Sequence, residues 1–401
     1  MRVLISGAGI AGPTLAYWLA RYGFTPTIVE RAPALRTGGY IIDFWGLGFD
    51  VADRMKLLPE IRRKGYMLRE VRVVNPAGEK VAGFPADAFS RSTQGRFVSL
   101  PRSELAASIY SKLDDRVETI FGDSIRGIAQ TGSSVHVTFE HGAKREFDLV
   151  VGADGLHSRV RELVFGPQSR FETYLGFKVA AFEAEGYRPR DELIYVMYTE
   201  VRQQVARFAM RGDRTMFLFT FADARSKAHV AGTDTTTIQD QKALLRERFG
   251  ASGWECPQIL AALQTCDDLY FDRVSQIRMD SKDGLWNRGR VALIGDAAFC
   301  VSLLAGQGSA LAMAAAYVLA GELYRANGDY PAAFKQYQEI FAPFIAAKQK
   351  AALRFAGVFA PKSRTALFLR NQVMNLLTVP WIADLTFARD LRDNLVLPDY
   401  D

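Results

Sequence analysis

Residues 2–30 read RVLISGAGIAGPTLAYWLARYGFTPTIVE. A β-rich run, RVLIS (2–6), leads through GAGIAG (7–12) into PTLAYWLARYG, where Gly23 is a plausible helix stop. A second β-rich run, TPTIVE (25–30), ends on an acid. Strand, G-x-G-x-x-G, helix, strand and acid within about thirty residues form the dinucleotide-binding pattern. Gly7 permits the tight turn, Gly9 lets the backbone approach a pyrophosphate, and Gly12 lets helix and strand pack closely. The helix N-terminus offers free N–H groups and a positive dipole end to phosphates. Glu30 is placed to accept ribose hydroxyls, and Arg31 beside it is grouped with the cofactor-binding residues. This motif alone does not separate FAD from NAD.

The bulk properties narrow the class. A chain of 401 residues suits two or three domains, and 49% hydrophobic with 23% charged residues is the composition of a folded soluble protein. The net charge of +6 is spread along the chain, which suits a small anionic partner better than nucleic acid. Three cysteines without a CxxC pair fit a reducing cytoplasm. No apolar run reaches the roughly 18 residues of a membrane span. MRVLISGAGIAG reads as strand and turn rather than as a signal peptide. His136, His141, His157 and His229 lack metal-ligand spacing, so no metal is expected. No G-x-S-x-G elbow points to a serine hydrolase.

Two further stretches separate the cofactors. REFDLVVGADGLHSRVREL (145–163) is a strand running into GADG and a helix, and RVALIGDAAFC (290–300) is a strand running into Gly295–Asp296. In this order and at these separations, the three motifs resemble the aromatic-hydroxylase-like class A flavoprotein monooxygenases over nearly the whole chain. The resemblance implies FAD, with Asp296 binding its ribityl chain. It implies that Asp154, with Gly155, Ser158 and Arg161, shapes the FAD site and is linked to NAD(P)H use. RTGGYIIDFWG (36–46) resembles the tetracycline-inactivating and antibiotic-pathway members, which brings Gly39 to the flavin and Asp43 to the active-site floor. SLPRSEL (99–105) resembles the segment whose arginine reaches over the flavin, here Arg102.

GQG (306–308) precedes SALAMAAAYVLAGELYR, a run of good helix formers that should begin near Ser309. Its N–H groups would face the flavin pyrimidine edge, where a positive helix end stabilises the reduced ring. Gly306, Gln307 and Gly308 are therefore cofactor residues, and no catalytic side chain is required because the flavin does the chemistry. The sequence departs from the family at Leu303 and Ala310, where a proline and an asparagine are usual. Leu303 is read as a pocket residue that helps exclude water.

The stretches LIYVMYT (193–199), QVARFAMRG (204–212) and RTMFLFTFAD (214–223) read as strands of an antiparallel sheet. Phe217, Phe219 and Phe221 alternate and share one face. Phe217 and Phe219 are assigned to the substrate pocket, and Arg207 and Arg211 to solvated strand positions. Residues 331–377 read as helix broken by Pro343 and Pro361, with Lys348 and Arg370 among cations held in water.

The expected fold is α/β. A Rossmann-like FAD-binding domain comprises residues 1–70, 97–170 and 275–330. A β-sheet substrate domain comprises 71–96 and 171–274, and a C-terminal helical region 331–401. The expected function, implied by the resemblance, is an FAD-dependent monooxygenase. It would hydroxylate a small polycyclic or polyketide-like phenol or enol, using NAD(P)H and O2 through a flavin C4a-hydroperoxide, in a cytoplasmic monomer or homodimer. The alternative is an FAD-containing cyclase without redox turnover.

Overall fold

The computed structural model describes residues 1–36, 38–223, 237–279, 286–379, 381–382 and 393–400. His229 lies outside them. β1 (Arg2–Ser6) is central to a six-stranded sheet, because Val3, Leu4 and Ile5 are fully buried. The strand order is β17 (Asn287–Arg288), β18 (Val291–Leu293), β11 (Leu149–Gly152), β1, β2 (Thr25–Glu30) and β7 (Glu118–Phe121). All pairs are parallel except β17 with β18. Covering both faces of a parallel sheet explains the unbroken apolar runs VLI and LVV. Three segments far apart in sequence thus supply its adjacent strands.

α1 (Ala11–Arg21) crosses from β1 to β2. It lies against α10 (Gly308–Arg325), where Trp18 meets Tyr317 edge-on at 4.8 Å between ring centroids. α5 (Arg102–Tyr110) and α6 (Arg159–Phe165) follow β6 (Phe97–Pro101) and β11. β6 pairs with β3 (Ile41–Trp45) in an antiparallel ribbon, which continues into α2 (Leu47–Arg54) and α3 (Leu58–Lys64). β8 (Ile125–Gln130), β9 (Val135–Phe139) and β10 (Arg145–Phe147) form a small meander.

The second large sheet has seven strands, in the order β16 (Tyr270–Ile277), β12 (Glu172–Glu185), β15 (Arg214–Ala222), β14 (Gln203–Ala209), β13 (Ile194–Glu200), β4 (Glu70–Val74) and β5 (Lys80–Pro85). α4 (Asp87–Ser92) follows β5. Strand alternation gives this sheet two distinct faces. On the outer face Phe182, Phe217, Phe219 and Phe221 pack against Leu245 and Phe249 of α7 (Ile238–Phe249) and Ile259 and Leu263 of α8 (Cys256–Gln264). The assignment of Phe217 and Phe219 to the substrate pocket is therefore corrected. Both are fully buried beneath two helices that the strand pattern did not reveal. Arg207 also points outward and is 2% exposed, held by Asp191 at 2.7 Å and Glu255 at 2.8 Å, so its solvated reading is corrected too. The inner face, bearing Met216, Leu218 and Thr220, turns toward β3 and the end of the nucleotide-binding sheet.

α11 (Tyr330–Phe359) runs unbroken through Pro343, contrary to expectation. A proline removes one hydrogen bond and crowds one carbonyl, while buried Phe341 and Ile345 on either side keep the helix packed. Pro361 does lie between α11 and α12 (Arg364–Leu376). Residues 393–400 strap back across the molecule. Asp393 pairs with Lys348 at 2.7 Å and accepts from the Leu47 N–H at 2.9 Å. Tyr400 Oη donates to Glu322 at 2.6 Å, and its ring lies so close to Gly321 that a Cβ there would meet it at 2.2 Å. Among the described residues no helix is long and apolar enough to cross a membrane, and no cluster of three or more metal-ligating side chains is present.

Candidate active site

The first turn is built by contacts that exclude side chains. A Cβ on Gly12 would sit 1.9 Å from the Gly7 carbonyl oxygen. Gly7 has φ +107° and backs onto the Ala153 carbonyl, which a Cβ would meet at 2.6 Å. Gly9 differs: among protein atoms within 4 Å, its Cβ would meet only the Arg102 guanidinium, at 3.5 Å. The space above Gly9 is thus open and roofed by a cation, which fits a pyrophosphate. The Glu30 carboxylate hangs over the same loop, accepting from Ala8 N–H at 2.8 Å and Ala32 N–H at 3.0 Å. An ionised carboxylate has about four acceptor positions, so it retains capacity for a ribose. Arg31 is exposed beside it.

The other two motifs meet behind this cradle. Asp154 accepts from Ser158 Oγ at 2.5 Å, Arg159 N–H at 2.8 Å, Val160 N–H at 3.1 Å and Ser6 Oγ at 3.4 Å. Its oxygens are engaged by protein groups, so it anchors the loop behind Gly7 and caps α6. Arg161 is fully buried and donates to Leu156 O at 2.7 Å and Ala297 O at 2.9 Å. It bolts α6 to α9 (Asp296–Phe299), the short helix that carries the third motif. Burial raises the Asp296 carboxyl above the usual carboxylate range, and the nearby Arg102 charge opposes that rise. Gly308 adjoins it, since a Cβ there would lie 3.8 Å from Asp296 Oδ1. Glu30, Gly9, Arg102, Asp296 and Gly308 accordingly follow one another along a continuous arc.

The far end of the arc reaches the inner face of the seven-stranded sheet. α10 begins at Gly308, one residue before expectation, with Gln307 buried at its N-cap. Gly306, at φ +67°, faces the Trp45 ring, and a Cβ would approach it to 3.4 Å. Gly39, at φ +136°, has nothing within 4 Å of a Cβ. Ala310 abuts Gly48, whose Cβ would come within 2.5 Å of its Cα, so the departure at this position serves helix packing. Leu303 and Leu218 pack against the same cluster, which includes Phe177, Val179 and Ala360. Asp43 accepts from Ser99 Oγ at 2.5 Å within the β3–β6 ribbon. Burial raises its carboxyl, and burial, with a smaller contribution from Asp43, raises the Tyr195 phenol of the inner face.

Several residues at this junction escaped the sequence reading. Tyr40 and Tyr270 stack obliquely, 5.2 Å apart, bridging the glycine-rich GGY loop and β16. Burial pushes the Tyr40 phenol up to about 12. His157 Nε2 lies 3.1 Å from Asp272 of β16, tying the second motif to the seven-stranded sheet. The i, i+2 spacing of Tyr270 and Asp272 on a strand was the available signal. Arg370, expected in water, is 9% exposed and reaches Thr199 of the inner face.

A profile of the FAD binding domain family matches residues 1–347. A flavin-dependent monooxygenase from an unknown prokaryotic organism is 36% identical over 350 residues, 87% of each chain. Another, from Legionella longbeachae, is 30% identical over 401 residues, covering 100% of this chain and 98% of that one. Among solved structures, the tetracycline destructase Tet(51) superposes with a TM-score of 0.84 at 30% identity, covering 100% and 99% of the two chains. A Klebsiella pneumoniae HpxO complexed with FAD and uric acid shares the fold at 22% identity with a TM-score of 0.78. The chain belongs to the FAD binding domain family and is a flavin-dependent monooxygenase homologue.

Proposed function

We propose that the chain hydroxylates a polycyclic or polyketide-like phenol or enol, with NAD(P)H as reductant and O2 as oxidant. The observation carrying this reading is the arc from Glu30 through Gly9, Arg102 and Asp296 to Gly308, which ends against the apolar inner face. Residues 1–70, 97–170 and 275–330 would hold FAD, and 71–96 with 171–274 would wall the substrate. Glu30 would take the ribose, Gly9 and Arg102 the pyrophosphate, and Asp296 the ribityl hydroxyls. When bound, FAD supplies the electron transfer and oxygen activation.

The chain's own residues position and insulate. The α10 N-terminus offers positive potential beside Gly308. Leu303 and Leu218 present hydrocarbon where water would otherwise enter. Asp43, raised by burial, can hold a proton beside the inner face. The 30% identity to a tetracycline destructase supports a fused-ring, enolised substrate. The test is mass spectrometry of product formed under isotopically labelled O2 with NAD(P)H. One labelled oxygen per product is expected. An isomeric product of unchanged mass, formed without NAD(P)H, would overturn the reading in favour of a cyclase.

A further inference from the structure

Arg370 of α12 is buried, and no carboxylate among the described residues pairs with it. Its Nη1 donates to Thr199 Oγ1 at 3.1 Å, and its Nε and Nη2 reach Asn371 Oδ1 at 3.3 and 2.8 Å. Thr199 Oγ1 in turn donates to Gln204 Oε1 at 3.1 Å. Thr199 and Gln204 are 7% and 3% exposed. Every partner is neutral, and among the described residues no carboxylate pairs with this guanidinium. Desolvation alone moves it, down to about 10, which leaves it cationic at neutral pH. Buried arginines are ordinarily matched by carboxylates, as Arg207 is by Asp191 and Glu255 here. Among the described residues this buried cation is supported only by a hydroxyl and two amides, which leaves its charge unmatched.

Its place on the sheet gives the missing charge a location. Strand register puts Thr199, Gln204, Thr220, Val179 and Asp272 in one row across the inner face. Asp272 ends that row at the Tyr40–Tyr270 junction. Leu218, in the adjacent row, packs with Leu303 at the flavin end. Thr199 lies two strands from the strand of Leu218, roughly 10 Å at the usual spacing. That span matches two to three fused rings lying along the inner face.

The geometry points to Arg370, supported by Thr199 and Gln204, as an anion-recognising subsite that binds an enolate, phenolate or carboxylate oxygen at the end of the substrate remote from the flavin. The inference rests on the proposal that the inner face receives substrate. It adds that the substrate is an anion and that α12 supplies the residue selecting it. A guanidinium presents paired N–H donors to such oxygens.

The test uses the FAD-loaded full chain in its oxidised form, so that no turnover is needed. Binding of hydroxynaphthoate and of the isosteric neutral hydroxynaphthamide is measured by calorimetry for wild type, Arg370→Lys and Arg370→Met. Wild type should prefer the anion. Arg370→Met should lose roughly ten-fold or more of hydroxynaphthoate affinity and keep its amide affinity, with Arg370→Lys between them. FAD content should be unchanged. The melting temperature of Arg370→Met should equal or exceed that of wild type, because an apolar side chain relieves an unmatched buried charge. Equal losses for both probes, no preference in the wild type, or no binding of either would overturn the inference. So would a lower melting temperature with unaltered binding, since Arg370 would then be a bolt between α12 and β13. Anion binding without oxygen transfer to any substrate would keep this subsite and sink the hydroxylation reading.

Discussion

Replacing Gly9 with alanine separates what this loop does for the fold from what it does for the cofactor. Gly9 is not in the left-handed region, and its new Cβ would meet only the end of the Arg102 side chain, at 3.5 Å. That is an ordinary contact with a flexible group. The apo protein should therefore be unharmed, and reduced freedom of the unfolded chain should stabilise it by about 0.4–1 kcal/mol. The same methyl would occupy the space assigned to the pyrophosphate. Overpacking a close contact costs about 1–3 kcal/mol, or roughly a 5- to 150-fold rise in the FAD dissociation constant. Gly12→Ala is the contrasting control, because its Cβ would sit 1.9 Å from the Gly7 carbonyl and should disrupt the turn itself. Apo melting temperature and FAD titration read the two effects independently. A Gly9→Ala protein that binds FAD within about two-fold of wild type would refute the cradle. A destabilised apo form would refute the open space above it.

Asp296→Ala removes an acceptor from the proposed ribityl side and should weaken FAD binding by about 0.5–3 kcal/mol; unchanged affinity in a fluorescence titration would remove Asp296 from the site. The His157 imidazole is raised above its ordinary value by its hydrogen bond to Asp272, with a half-exposed side chain. Its contribution should be fully present below about pH 6.5, lost as pH rises through the raised value, and worth less than about 1 kcal/mol after solvent screening. A melting-temperature profile of His157→Gln should thus approach that of wild type as pH rises, and a constant offset at all pH values would assign the difference to packing.

The nucleotide-binding half was legible because its physics is local. Gly12 answers to a contact within the turn, against the Gly7 carbonyl, and Glu30 ends the very strand that the pattern predicts. The start of α10 was legible to within one residue, since two glycines and an alanine-rich run mark it. The seven-stranded sheet was less so. Alternation showed that Phe217, Phe219 and Phe221 share a face, but not which face, because that depends on where α7 and α8 fold back. Arg207 and Arg370 were read as solvated by residue type, and only the tertiary structure buries them. Asp154 was read by family role, whereas its local partners make it an anchor for the turn behind Gly7.

The interleaving of distant segments in the six-stranded sheet has a consequence for biosynthesis. When β11 leaves the ribosome, the edge that β18 will cover is still open, and Val291 is the earliest residue that can close it. At about 5–20 residues per second, that edge waits roughly 7–28 seconds. The face of α10 around Gly321 then stays uncovered until Tyr400 arrives to pack on it. Asp296 and Gly308, proposed here to hold the flavin, belong to those late segments, so a nascent chain can form the early glycine turn before the proposed flavin site is complete. On that proposal cofactor loading follows synthesis of these segments, and the unpaired β11 edge is the surface a chaperone would guard meanwhile.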